Sequence, residues 1–165
     1  IRLQSRYDLA SRHHQKEEKM KRFGILGLIF CAFPLSTALA DSEGDEIYLY
    51  RSNVMEMSSG HLKALKGYVD GKLAIKNHVP GHVDALLALN GMYQDLFPAG
   101  PQHPESEALN SIWSDPRGFQ YAIENNRRKI VALQQVDPGD VDTLKRAVNA
   151  VRMSCGDCHS YFRER

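Results

Sequence analysis

Apolar residues recur at spacings of three and four in four separate stretches of the chain, and no stretch alternates β-branched with polar residues over a strand's length. The pattern predicts an all-α protein. In the first stretch Ile47, Tyr50, Val54, Met57, His61 and Ala64 step along one helical face, and Gly71 is a plausible stop. The second begins near Pro80 and carries Val83, Leu86, Leu89 or Asn90, Tyr93 and Leu96-Phe97, until Pro98-Ala99-Gly100-Pro101 ends it. A connector rich in proline and glycine runs to about Pro104. After a short helical turn around 108–113, Ser114-Asp115-Pro116 offers capping side chains and a first-turn proline to the third stripe, Phe119, Ile123, Ile130 and Leu133. Asp137-Pro138-Gly139 closes it. The fourth stripe is the most regular: Val141, Leu144, Val148, Val151, Cys155, Cys158 and Phe162. Four helices, each apolar on one face and joined by short connections, pack most simply as an antiparallel up-down four-helix bundle.

The segment ahead of these stripes reads differently. From Met20 the chain runs Lys21-Arg22, then apolar residues from Phe23 to Leu35, then Ala38-Leu39-Ala40 before Asp41-Ser42-Glu43. A charged start, a short apolar core and a small-x-small site make 20–40 a signal peptide for export, cut after Ala40, and imply the periplasm. The apolar run is shorter than the roughly 20 residues a bilayer span needs, so no membrane span is expected after cleavage. Residues 1–19 are polar, precede a good start methionine, and read as a start placed too early. The functional domain is then 41–165.

Charge and cysteine counts narrow the chemistry. The whole chain carries 21 Lys+Arg against 20 Asp+Glu, and residues 41–165 carry 14 against 17. Neither balance suits a protein that must neutralise many phosphates, so nucleic acid is not an expected partner. Without Cys31 only Cys155 and Cys158 remain, and no disulfide framework can staple the domain.

Those two cysteines form Cys155-Gly156-Asp157-Cys158-His159, a CxxCH sequence, whose chemistry is attachment of haem c. Two thiols bond the porphyrin's vinyl groups and the adjacent imidazole ligates iron. On a helix, positions i and i+3 share a face, so both cysteines address one edge of a flat macrocycle while His159 is held at the iron. A thioredoxin-like redox pair would need a βαβ context, and a structural zinc site would need a second ligand pair. The chain offers neither.

A CxxCH on the last helix of an exported four-helix chain resembles the class II c-type cytochromes, the cytochrome c′ family and its low-spin relatives. Other landmarks match in order: Tyr50-Arg51-Ser52-Asn53-Val54-Met55, Gly60-His61-Leu62, Leu96-Phe97-Pro98-Ala99-Gly100, Ile112-Trp113 and Asp142-Thr143-Leu144-Lys145. The likeness covers essentially all of 41–165. It implies a bundle enclosing one covalently bound haem c, with His159 the proximal iron ligand and Arg51 near a haem propionate. In such proteins the residue four after this arginine faces the second axial position, here Met55. A ligating thioether implies a six-coordinate, low-spin, one-electron carrier serving redox partner proteins without substrate turnover. A non-ligating Met55 implies a five-coordinate iron that binds nitric oxide or carbon monoxide.

Periodicity favours Met57 over Met55 as the inward methionine of the first helix, and His61 is a further distal candidate. Trp113 reads as core or haem packing, and His78, His82 and His103 as solvated surface. Arg127-Arg128-Lys129 reads as a solvated face and is the best candidate for steering an acidic partner. Family relatives often pair with themselves, and the exposed faces of the first two helices would be the surface for such a homodimer.

Overall fold

The computed structural model describes residues 37–164. Residues 1–19 and 20–36, which hold most of the expected export signal, lie outside the described residues. Those described form α1 (Thr37–Val69), α2 (Val79–Asn90), a four-residue α3 (Ser111–Ser114), α4 (Pro116–Gln134) and α5 (Val141–Phe162). Two 3-10 turns, Lys76–His78 and Tyr93–Leu96, flank α2. There is no strand among the described residues, only an isolated antiparallel bridge between Ala108 and Arg163. No described helix is long and apolar enough to cross a membrane.

Local chemistry sets the helix ends. Gly71 takes φ +72, the left-handed conformation that glycine adopts without steric cost, and its N–H caps the Tyr68 carbonyl as α1 ends. Asp115 caps α4 by accepting from the Gly118 N–H, with Pro116 in the first turn. Asp140 caps α5 by accepting from the Thr143 N–H. The second helix is shorter than its stripe predicts: it ends at Asn90, and after Gly91 the chain makes only the 3-10 turn that delivers Tyr93 and Leu96.

Packing follows an up-down-up-down course. At one end of the bundle the C-terminal half of α1 (Leu65, Val69), the start of α2 (Val79, Val83, Leu86), the end of α4 (Ile130, Leu133) and the start of α5 (Leu144, Val148, Val151) form one closed core. At the other end the buried apolar residues divide. Val54, Leu89 and Leu96 make one small cluster, and Ile112, Phe119 and Phe162 make another. A cavity opens between them.

The buried face of α1 corrects the periodicity reading. Buried positions are Arg51, Val54, Ser58, Leu65 and Val69, whereas Tyr50 and Met57 are about half exposed, at 50% and 48%. Only Val54 belongs to both sets. The inward stripe was hidden because it is partly polar, and it is polar because it borders the cavity.

Leu144 is fully buried in the closed core, so Leu144→Ala is expected to cost about 2–5 kcal/mol, measured by denaturant unfolding. The hydrogen bonds from Thr143 hold the Asp140 carboxyl below the usual carboxylate range. Its charged form is therefore favoured by folding, contributing stability above the unfolded pKa near about 4 and losing it as pH falls through the depressed folded value. Asp140→Asn should flatten the acid limb of the stability curve in that window and leave the neutral-pH slope unchanged.

Candidate cofactor site

The cavity has a volume of about 690 Å³, within the range of sites that enclose an organic ligand. α5 contributes Cys155, Cys158, His159 and Phe162 to its lining; α4 gives Phe119, Ile123 and Asn126; α1 gives Arg51, Met55, Ser58, Ser59 and Leu62; the turn after α2 gives Tyr93. The CxxCH sequence thus comes together with Arg51 and Met55, but not with Met57 or His61, among the α1 residues singled out from the sequence.

Cys155 and Cys158 are half-buried, unpaired by any disulfide, and one turn apart on the cavity side of α5. Burial, reinforced by Cys155, pushes the Cys158 thiol up to about 11. Cys155 is also raised by burial, against a hydrogen bond from Asn126. Both stay protonated at neutral pH, contrary to the low-pKa thiolate of a thiol–disulfide catalyst. His159 lies at the rim, its pKa lowered by burial and by the Arg163 charge, which favours the neutral imidazole that metals bind.

Arg51 is 6% exposed, yet no carboxylate lies within ion-pair distance of it among the described residues. Its guanidinium donates to the Leu96 carbonyl at 3.4 Å, Gln102 Oε1 at 3.4 Å and Ser106 Oγ at 2.8 Å, and lies over the Phe97 ring at 4.9 Å. Burial lowers its pKa, but a guanidinium stays charged. A buried cation that meets only neutral acceptors among the described residues, at the wall of an apolar cavity, suits a ligand that brings its own carboxylate. This feature, with paired thiols and a neutral imidazole, fits haem.

The candidates for the second axial position separate. Met55 is half-buried, lines the cavity and packs against Val54, Leu89 and Leu96. Met57 faces outward. His61 Nδ1 instead lies 2.9 Å from His82 Nδ1 at the α1–α2 contact, so His82 is half-buried rather than the solvated surface residue expected. His103 stacks on Tyr48 at 4.2 Å, also departing from that expectation. The Trp113 Nε1–H donates to the Phe97 and Pro98 carbonyls, pinning the connector.

Two polar groupings escaped the sequence reading. Asn90 donates to Asn126 at 2.9 Å, Asn126 donates to Ser154 at 2.9 Å and to the Cys155 sulfur at 3.4 Å, and Ser154 donates to the Val151 carbonyl. This chain crosses α2, α4 and α5. Tyr93 donates to Ser58, which donates to the Val54 carbonyl. Their signal was present as small polar residues three or four positions from core apolar ones.

Comparison with known proteins agrees with this geometry. The family model for cytochrome c′ matches residues 46–163. The chain is 28% identical over 117 residues to cytochrome c′ of Pararhodospirillum photometricum, covering 70% of this chain and 94% of that protein. It is 25% identical over 147 residues to cytochrome c′ of Rhodospirillum rubrum, covering 87% and 99%. A solved cytochrome c′ superposes with a TM-score of 0.67 at 27% identity, over 73% of this chain and 97% of that one. A nitric oxide complex of a leucine-to-alanine variant of cytochrome c prime from Alcaligenes xylosoxidans gives 0.67 at 25% identity, over 74% and 96%. With nearly the whole described bundle matched and a cavity suited to the cofactor, the chain belongs to the cytochrome c′ family and carries covalently bound haem c with its iron.

Proposed function

We propose that this is an exported, periplasmic monohaem protein with five-coordinate iron that binds nitric oxide or carbon monoxide. The observation that carries the reading is the family match across 46–163, with nitric oxide complexes of a relative among the superposing structures. The side chains fit it. Cys155 and Cys158 would hold the macrocycle through thioether bonds to its two vinyl groups, an addition of each S–H across a double bond that needs no oxidant. His159 takes the proximal position, and Arg51 pairs with a propionate. Bound haem would supply the iron that takes up a small ligand.

In this reading Met55 is an apolar wall residue. Its packing with Val54, Leu89 and Leu96 supports that role, since a thioether fills irregular gaps well. The methionine-ligated, low-spin electron carrier expected from the sequence becomes the second reading, favoured by the presence of Met55 in the same cavity as His159. Either way the protein holds and releases its partner without turning over a substrate, and redox partner proteins reset the iron. Leu49, Tyr50 and Met57 on the outward side of α1 supply the apolar face for a homodimer.

The deciding measurement is the visible and near-infrared spectrum of the ferric and ferrous holoprotein beside Met55→Ala. Five-coordination predicts a high-spin ferric spectrum in both, and carbon monoxide uptake by the ferrous form without loss of a ligand. A low-spin spectrum with a far-red sulfur-to-iron band, lost in the variant, would instead establish methionine ligation and electron transfer. A Cys155→Ala/Cys158→Ala variant is expected to melt without a sharp transition, because haem joins the two small clusters into one core and its binding adds to stability. A compact apoprotein that melts cooperatively would contradict that dependence.

A further inference from the structure

We infer that the Tyr93 hydroxyl is the hydrogen-bond donor that acts on a diatomic ligand held against the α1 wall of the cavity, and so sets how tightly each gas is retained. This rests on the five-coordinate reading above and names the residue that tunes it. The wall presents Met55, Ser58, Ser59 and Leu62 from α1, with Tyr93 beside them. Its apolar members offer no proton. The Ser58 hydroxyl spends its single proton on the Val54 carbonyl at 2.8 Å and accepts from Tyr93, also at 2.8 Å.

The phenolic proton is therefore the one in this pair that can be redirected. Turning it toward the cavity needs only rotation about the C–O bond, with the ring left in its packing against the Val54, Leu89 and Leu96 cluster. Ser58 then loses an accepted bond but keeps its own donor satisfied, so no buried donor is orphaned. Asn126 donates to Ser154 and Cys155, and Arg51 to Leu96, Gln102 and Ser106, while the Ser52 and Ser106 hydroxyls line the cavity away from the cluster that holds Met55 and Tyr93. Ser59, one turn beyond Met55, is the rival. Burial raises the Tyr93 pKa against the lowering effect of the Ser58 bond, which keeps the proton in place. A diatomic ligand on reduced haem would carry added electron density on its outer atom and so be a better acceptor for this donor.

The test is the carbon monoxide stretching frequency and dissociation rate of the ferrous holoprotein, read by infrared absorption and by exchange against nitric oxide. Donation by Tyr93 lowers the stretch, so Tyr93→Phe should move it to higher wavenumber and speed carbon monoxide loss about two- to tenfold. Ser58→Ala should move the stretch the other way, by releasing the phenolic proton from its resting partner, and Ser59→Ala should leave it unchanged. A merely structural role for Tyr93 predicts no such opposed pair of shifts. Carbon monoxide binding with the same stretch in wild type and Tyr93→Phe, or a shift confined to Ser59→Ala, overturns the inference alone. A ferrous protein that takes up no carbon monoxide overturns both it and the five-coordinate reading.

Discussion

The bundle must stay cohesive while four helices part widely enough at one end to admit a flat, rigid cofactor. That constraint organises everything else. A closed layer of leucine, isoleucine and valine at the far end, centred on Leu65, Ile130 and Leu144, supplies the burial that a cavity cannot. Beyond it the apolar side chains retreat into two clusters, and the space between them is lined by groups with specific chemistry. The same helices serve both ends, so the α5 stripe runs without interruption from core valines to haem-attachment cysteines.

Polar residues inside such a bundle are costly unless partnered. Here nearly all are. Asn126 and Ser154, at 4% and 3% exposure, are satisfied by one another, by Asn90 and by the backbone; Asn90 Oδ1 is the exception among the described residues. The chain crosses the bundle where the closed core gives way to the cavity. It fixes the mutual rotation of α2, α4 and α5 at that level, which apolar packing specifies less sharply because it is non-directional. Arg51 works differently: its buried positive charge meets only neutral acceptors among the described residues.

How much of this was legible depended on what each helix faces. The α4 and α5 stripes bury much as their periodicity predicts, from Phe119 to Leu133 and from Leu144 to Phe162, because those faces meet apolar neighbours along most of their length. The Asp115 and Asp140 caps also follow from local sequence, since a cap needs only a short carboxylate at the right offset. α1 misled the periodicity because its inward residues include Arg51 and Ser58, and the outward Tyr50 and Met57 look more like core. The family register, which turned on Arg51 and Met55, identified the inward face where hydropathy did not. The Tyr93–Ser58 contact was beyond reach, because it depends on α2 stopping at Asn90 and on how the following turn swings back.

The connector between α2 and α4 is tied to the last turn of α5. The Leu109 N–H meets the Phe162 carbonyl at 3.0 Å, the Glu164 N–H meets the Glu107 carbonyl at 2.8 Å, and Arg163 pairs with Glu107. These contacts join segments more than fifty residues apart, whereas α4 and α5 are joined by a short turn. One wall of the cavity therefore rests on a few contacts of long sequence separation. Breaking them would uncover the helix turn that carries Cys155 and Cys158 and leave the closed core at the far end untouched.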